Sequence, residues 1–468
     1  MTRKLFLLLA ACFVLEAAPK KTSLDRYIAA PDPSFKYSLA KKTEGAKSTA
    51  YVLDMISQTW RKPAEISRTE WQHWVNISRP KELKTSLAFL FITGGANRAN
   101  QAPGALDPNM VRMAEALGAV TIELKMVPNQ PLVFLDDPKK KERVEDSFIA
   151  YTWNKYMDTG DDTWPARLPM TKAAVRAMDA ATAFLATPEG GGVKIDRFLV
   201  AGGSKRGWTT WTAAAVDKRV VAVAPLVIDM LNMIPSFNHH YKVYGFWAPS
   251  IGDYFEQGIM DKTDTPMYKK LLEIEEPYSY KERLTMPKFM VNAAGDQFFL
   301  PDSWKFYFRK LKGEKHLRYV PNADHSLRGS DAWESVGAYY ESLIKGTKRP
   351  DLDWKLQKDG SLRVTTKDKP SVVKLWQAYN PNARDFRVES VGPIYKSTEL
   401  KMNKDGLWIA KPDQHDKGYT AYFVEMTFPS GGVFPFKFTT GVHVTPDTYP
   451  FGLPEKGKSK IGPAPKRN

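Results

Sequence analysis

Between residues 69 and 345, short apolar β-rich runs alternate with amphipathic helical patterns, and this alternation constrains the fold more than any other feature of the chain. A strand buried on both faces reads as a continuous apolar run, and parallel strands need a helical crossover between them. The pattern therefore predicts a mainly parallel sheet with helices on both faces, an α/β architecture. In chain order it gives strand 70–77, strand 86–93 broken by Gly94-Gly95, helix 109–117, strand 119–124, an Ala-rich helix 172–186, strand 197–201, helix 205–216 and strand 220–227. It resumes with strand 288–293, helix 301–311, strand 317–320 and helix 332–344. Residues 229–285 fit no strand–helix unit; their Tyr, Phe, Met and Trp suit a helical insertion covering a site.

After Pro350 the period falls to two. Alternating runs at 362–364, 372–376, 407–409, 419–427 and 433–438, separated by Gly, Pro, Asn and Asp, predict a small β-sandwich-like domain over 349–453 following an α/β domain over 19–348. Residues 454–468 are rich in Pro, Gly and Lys and read as a flexible basic tail. At the other end, Arg3 and Lys4 precede an apolar run too short to cross a bilayer, so residues 1–18 read as a signal peptide and the protein as secreted or periplasmic. Leu9-Ala10-Ala11-Cys12 also resembles a lipoprotein box, which makes Cys12 a candidate lipid anchor. Past Ala18 no apolar stretch approaches the roughly 18 residues of a spanning helix.

Composition narrows the chemistry. With 43% hydrophobic and 26% charged residues, a chain of 468 residues is globular rather than disordered or fibrous. One cysteine rules out an internal disulfide framework and a cysteine-built metal site, and none of the seven histidines forms an i, i+4 pair, so neither a metal nor a cofactor is expected. A net charge of +16 names no partner by itself; the expected partner is a small-molecule or polymer-linked substrate, not nucleic acid, met by a monomer.

The most informative stretch is Phe198-Leu-Val-Ala-Gly-Gly-Ser204-Lys205-Arg206-Gly207, an apolar strand running into a glycine-flanked serine that opens a helix. A nucleophile elbow needs small neighbours because its serine occupies a strained turn that lifts the hydroxyl clear of the sheet. The spacing is G-x-S-x-x-G rather than the commoner G-x-S-x-G, and by itself it also suits a serine capping a helix. Position decides between them. Asp296 follows the strand 288–293, and His325 follows the next, so Ser204, Asp296 and His325 stand in α/β-hydrolase order at successive strand ends. Serine is a weak nucleophile until an imidazole takes its proton, and the imidazole needs a carboxylate on its other nitrogen. His325 is the expected base, and Asp296 its orienting acid. The other acids in range are Asp229, kept as the reserve, Asp302 and Asp324.

For the oxyanion, Lys205 supplies the backbone N–H after the nucleophile, and the second donor is expected from Gly95 or Ala96. Candidate substrate-binding side chains are Arg206 and, in the aromatic-rich insertion, His239, His240 and Trp247.

Together with Pro128-Asn-Gln-Pro-Leu, Leu168-Pro-Met-Thr-Lys-Ala, Asp229-Met-Leu-Asn, Gly295-Asp-Gln-Phe-Phe-Leu-Pro-Asp302 and Pro321-Asn-Ala-Asp-His325, these motifs resemble the PhoPQ-activated pathogenicity-related protein family, which includes autocrine proliferation repressor proteins. The resemblance runs over roughly residues 30 to 440 and implies an exported α/β-hydrolase fold with a C-terminal β domain. The elbow is also similar to the Gly-Cys-Ser-Arg-x-Gly of glucuronoyl esterases, departing from it at Gly203 and Lys205. The expected function is an exported serine hydrolase working through an acyl-enzyme, an esterase with carbohydrate-linked esters among its candidate substrates, ahead of a dipeptidyl-peptidase-type peptidase. The rival from another class is a non-catalytic binding or signalling protein on the same scaffold.

Overall fold

The computed structural model describes residues 21–99 and 101–463. The signal-peptide and Cys12 anchor readings fall outside them, as does the end of the basic tail. Strands β1 (Lys36–Glu44), β2 (Ser48–Thr59) and β3 (Glu70–Pro80) form an antiparallel edge. Next come β4 (Leu87–Ile92), β5 (Thr121–Leu124), β6 (Arg197–Gly203), β7 (Val220–Leu226), β8 (Lys288–Ala293) and β9 (Lys315–Val320), parallel throughout and ordered β5-β4-β6-β7-β8-β9, with β3 against β5. Burial on both faces accounts for their uninterrupted apolar runs: every residue of β5 and β8 is buried. The parallel sheet with helices is thus the one the alternation predicts.

The helices are α1 (Ser23–Ala29), α2 (Pro108–Leu117), α3 (Glu145–Thr159), α4 (Arg167–Ala186), α5 (Lys205–Val216), α6 (Met233–Tyr244), α7 (Gly252–Glu256), α8 (Pro266–Glu275), α9 (Ala332–Lys345) and the single turn α10 (Val388–Val391). Helix α4 is buried along nearly its whole length, which its alanines allow by admitting close neighbours while favouring the helix. Residues 229–285 hold α6, α7 and α8 joined by short 3-10 turns. None of the described helices is long and apolar enough to cross a membrane.

The C-terminal strands are β10 (Leu352–Leu356), β11 (Leu362–Thr366), β12 (Val372–Asn380), β13 (Lys396–Glu399), β14 (Trp408–Ala410), β15 (Tyr419–Phe428), β16 (Phe436–Thr439) and β17 (His443–Thr445). β10, β11 and β14 make a separate three-stranded sheet, whereas β16 pairs with β9 at Thr439–Leu317 and carries β15, β12 and β13 onto the central sheet, which reaches 14 strands. Arg318 of β9 secures this junction. It is 2% exposed, binds Glu425 of β15 and meets Asp331, ahead of α9, at 2.7 Å. Removing a buried cation strands its carboxylate partners, so Arg318→Met is expected to cost about 3 kcal/mol, read as a lower urea midpoint.

Two expectations need correction. Residues 301–311 form no continuous helix but two 3-10 turns, Ser303–Phe306 and Phe308–Lys310. Tyr307 between them takes φ −141° while its hydroxyl reaches down to Asp229 at 2.6 Å. The tail, read as flexible, is paired as far as Gly462: the Trp247 N–H donates to Lys460 O and the Gly462 N–H to Trp247 O, both at 2.8 Å.

Candidate active site

The turn between β6 and α5 closes so tightly that two glycines are obligatory. A Cβ on Gly202 would sit 2.7 Å from Arg206 O, and one on Gly207 would sit 2.8 Å from Gly202 O. Ser204, between them, adopts φ 56°, ψ −125°, a conformation that L residues rarely occupy and that the surroundings must hold in place. Its N–H is tied to Leu226 O at 2.8 Å. No side-chain hydrogen bond caps α5 from Ser204, so the capping alternative fails and the hydroxyl is left for other use.

Asp296, in the loop after β8, is 3% exposed and fully engaged. Oδ1 accepts the N–H groups of Phe298 at 2.7 Å and Phe299 at 3.3 Å, and Oδ2 faces His325 Nδ1 at 2.8 Å. A carboxylate there keeps the imidazole proton on Nδ1 and makes Nε2 the acceptor. The ring is held further by Phe298, whose centroid lies 4.3 Å away, and by the His325 N–H donating to Gln297 Oε1 at 3.0 Å. His325 Nε2 is buried with no partner, and no hydrogen bond joins it to Ser204; such bonds often tighten only once substrate is bound. Ser204 and His325 line one open cleft of about 410 Å³ with Phe91, Val227, Leu327 and Trp333.

Asp229, the reserve carboxylate, is not near the imidazole in hydrogen-bond terms. It accepts the hydroxyls of Tyr307 and Tyr319, and burial pushes its carboxyl up to about 8 against those two bonds. Asp302 holds His239 and Arg384, and Asp324 caps its own turn through Ser326.

In the loop after β4, the N–H groups of Met126 and Val127 donate to Gly94 O and Thr93 O, a ladder in which Gly95 and Ala96 donate nothing. Gly95 has φ 126°. Lys205, at the start of α5, has an N–H with no place in the helical ladder.

The remaining predicted side chains are held by structure. Arg206 donates to both oxygens of Glu145 at 2.7 and 2.6 Å and to Val127 O at 2.5 Å, beneath Gly94, so it braces the elbow against the β4 loop. Lys205 Nζ lies 2.9 Å from Glu145 and 3.1 Å from Asp146. His239 bonds Asp302 and Tyr449, whereas His240 accepts the Ala248 N–H at 3.0 Å and is pushed down to about 3 by burial, hence neutral. Trp247 packs on Phe237, His240 and Tyr241. Only His240 of the last three reaches a second chamber beside Ser204, of about 40 Å³.

Reading the sequence missed Glu145, Asp146 and Arg167. Glu145 and Asp146 begin α3, which carried no recognised helix signal, and Arg167 opens α4 before the assigned start. Arg206 and Lys205 hold the Glu145 carboxyl down at about 2 despite the opposing effect of burial. A depressed carboxyl contributes stability that is complete above about pH 4.5 and is lost as pH falls through 2. The urea midpoint of the parent should therefore exceed that of Glu145→Gln at pH 7, and the two should converge as the pH is lowered toward 2.

Strand order and the serine-bearing turn define an α/β-hydrolase fold. Residues 24–387 match the family described as PhoPQ-activated pathogenicity-related protein, and the chain belongs to that family. It is 36% identical to autocrine proliferation repressor protein A of Dictyostelium discoideum, over 97% of this chain and 95% of that one. Among solved structures, it is similar to an acetyl xylan esterase from Paenibacillus sp. R4 (TM-score 0.47, 14% identity, 70% of this chain and 96% of that one). A glucuronoyl esterase from Solibacter usitatus is similar at TM-score 0.37 and 16% identity, over 69% of this chain and 90% of the other.

Proposed function

We propose that the protein is an exported serine hydrolase that cleaves carboxylic esters through an acyl-enzyme. The observation that carries this reading is the 2.8 Å Asp296–His325 bond, formed in the loops after β8 and β9 and opening on the same cleft as the strained Ser204. Ser204 attacks the ester carbon, and His325 takes the serine proton and returns it to the departing alcohol; Asp296 stabilises the imidazolium between those steps. The backbone N–H of Lys205, with that of Gly95 or Ala96, receives the oxyanion. The open cleft takes the alcohol side. Export rests on the pattern of residues 1–18.

Esters are favoured over aminopeptidase substrates because an N-terminal ammonium needs a free carboxylate. Around Ser204 both oxygens of Asp146 are engaged, by Lys205 and Tyr254, and those of Glu145 by Arg206, Lys205 and Gln130. A panel of p-nitrophenyl esters and dipeptide amides, with Ser204→Ala as the blank, tests the reading. Ester turnover that disappears in the blank supports it, and turnover of amides alone refutes it.

A further inference from the structure

The smaller chamber beside Ser204 has Arg167, Lys205, Asp146 and Asp229 among its walls, together with Trp153, Trp208 and Phe237. Three of those four charges are accounted for. Asp146 meets Lys205 at 3.1 Å and accepts the Tyr254 hydroxyl at 3.0 Å; Lys205 also meets Glu145; Asp229, raised to about 8, is a neutral acid at pH 7 that accepts two tyrosine hydroxyls. Arg167 differs. It is 3% exposed, yet among the described residues no carboxylate lies within the 4.0 Å of an ion pair. Its Nη1 donates to Lys205 O at 2.9 Å, and its plane lies 4.3 Å over Trp208. Among the described residues Nε is buried without a partner, and Nη2 donates to no atom. Glu275, which is not part of the lining, makes no ion pair with Arg167, and burial pushes its carboxyl up to about 8 against the pull of that cation.

A guanidinium taken out of water without a counter-charge costs several kcal/mol unless something else pairs with it. Nε and Nη2 form the edge that gives a carboxylate two parallel hydrogen bonds. We infer that the chamber takes the acyl group of the substrate and that Arg167 recognises a carboxylate at its far end, which makes the substrates half-esters of short dicarboxylic acids. The inference rests on Ser204 being the nucleophile. The position agrees with it: Ser204 and Arg167 line the same chamber. The chamber's volume of about 40 Å³ favours a short acyl group. In the reaction the Ser204 Oγ bonds the ester carbon and the alcohol leaves with the proton carried by His325. Water then attacks the acyl-enzyme and releases the diacid.

The experiment compares monomethyl succinate with methyl butyrate, which are of similar length and differ in the terminal charge. Charged hydrogen bonds of about 1.5–3 kcal/mol predict that Ser204→Ala binds monomethyl succinate at least about tenfold more tightly by calorimetry. The preference should disappear in Ser204→Ala/Arg167→Met, persist in part in Ser204→Ala/Arg167→Lys, and appear in the wild type as a similar ratio of kcat/KM. Equal binding of the two esters by Ser204→Ala, or a preference that survives Arg167→Met, overturns the inference. If Arg167→Met does not fold, the wild-type kcat/KM ratio decides: a ratio near one overturns it. The two failures are distinguishable. Wild type that hydrolyses both esters equally leaves the hydrolase standing and removes the carboxylate site, whereas a binding preference with no turnover of any ester leaves the site and removes the hydrolase.

Discussion

Ser204→Ala is expected to lower ester hydrolysis by about 10⁴- to 10⁶-fold. The thermal midpoint should stay within about 2 °C of the parent, because little of the fold depends on the hydroxyl. The turn at Ser204 is built by the backbone, with the N–H held by Leu226 and with Gly202 and Gly207 at the points of closest approach, while the side chain caps nothing. Alanine at φ 56° carries the same strain as serine, so the conformational cost is common to both proteins. Activity and stability therefore separate at this position. A large fall in midpoint would show that Ser204 has a structural task instead.

Asp296→Asn is expected to reduce kcat by about 10⁴-fold at neutral pH, for a reason of tautomers. The N–H groups of Phe298 and Phe299 point at Oδ1 and will hold the amide oxygen there, which turns the amide NH₂ toward His325 Nδ1. Nδ1 must then accept, the ring proton moves to Nε2, and the base can no longer take the proton of Ser204. Asp229→Asn should leave kcat within about tenfold, since Asp229 already sits as a neutral acid against Tyr307 and Tyr319 and an amide can replace it there. Measured kcat values in the opposite order would transfer the orienting role to Asp229.

Much of the scaffold is legible in the chain because burial on two faces leaves a plain signature. Strand 288–293 and helix 205–216 occur at the residues their patterns indicate. The edge strands β1 and β2 carry no comparable mark: β1 is mostly exposed and β2 is buried at successive positions as well as alternate ones, so neither gives a clean period. The union of β16 with β9 rests on a single paired position, Thr439–Leu317, and on the cation Arg318 reaching Glu425, relations between residues about a hundred apart that no local pattern encodes. The same holds within the site. Strand ends locate Ser204, Asp296 and His325, but the partner of a long side chain is set by three-dimensional packing. For that reason Arg206 belongs to Glu145, His239 to Asp302, and Arg167 pairs with no carboxylate among the described residues.

Mass spectrometry of the folded protein after treatment with a fluorophosphonate tests the central claim most directly, since the reagent bonds only to a serine whose hydroxyl is activated in place. A single phosphonyl adduct on Ser204, absent from Ser204→Ala and strongly slowed in His325→Ala, is the predicted result. Folded wild-type protein that stays unlabelled, or that carries the adduct on another residue, would contradict it.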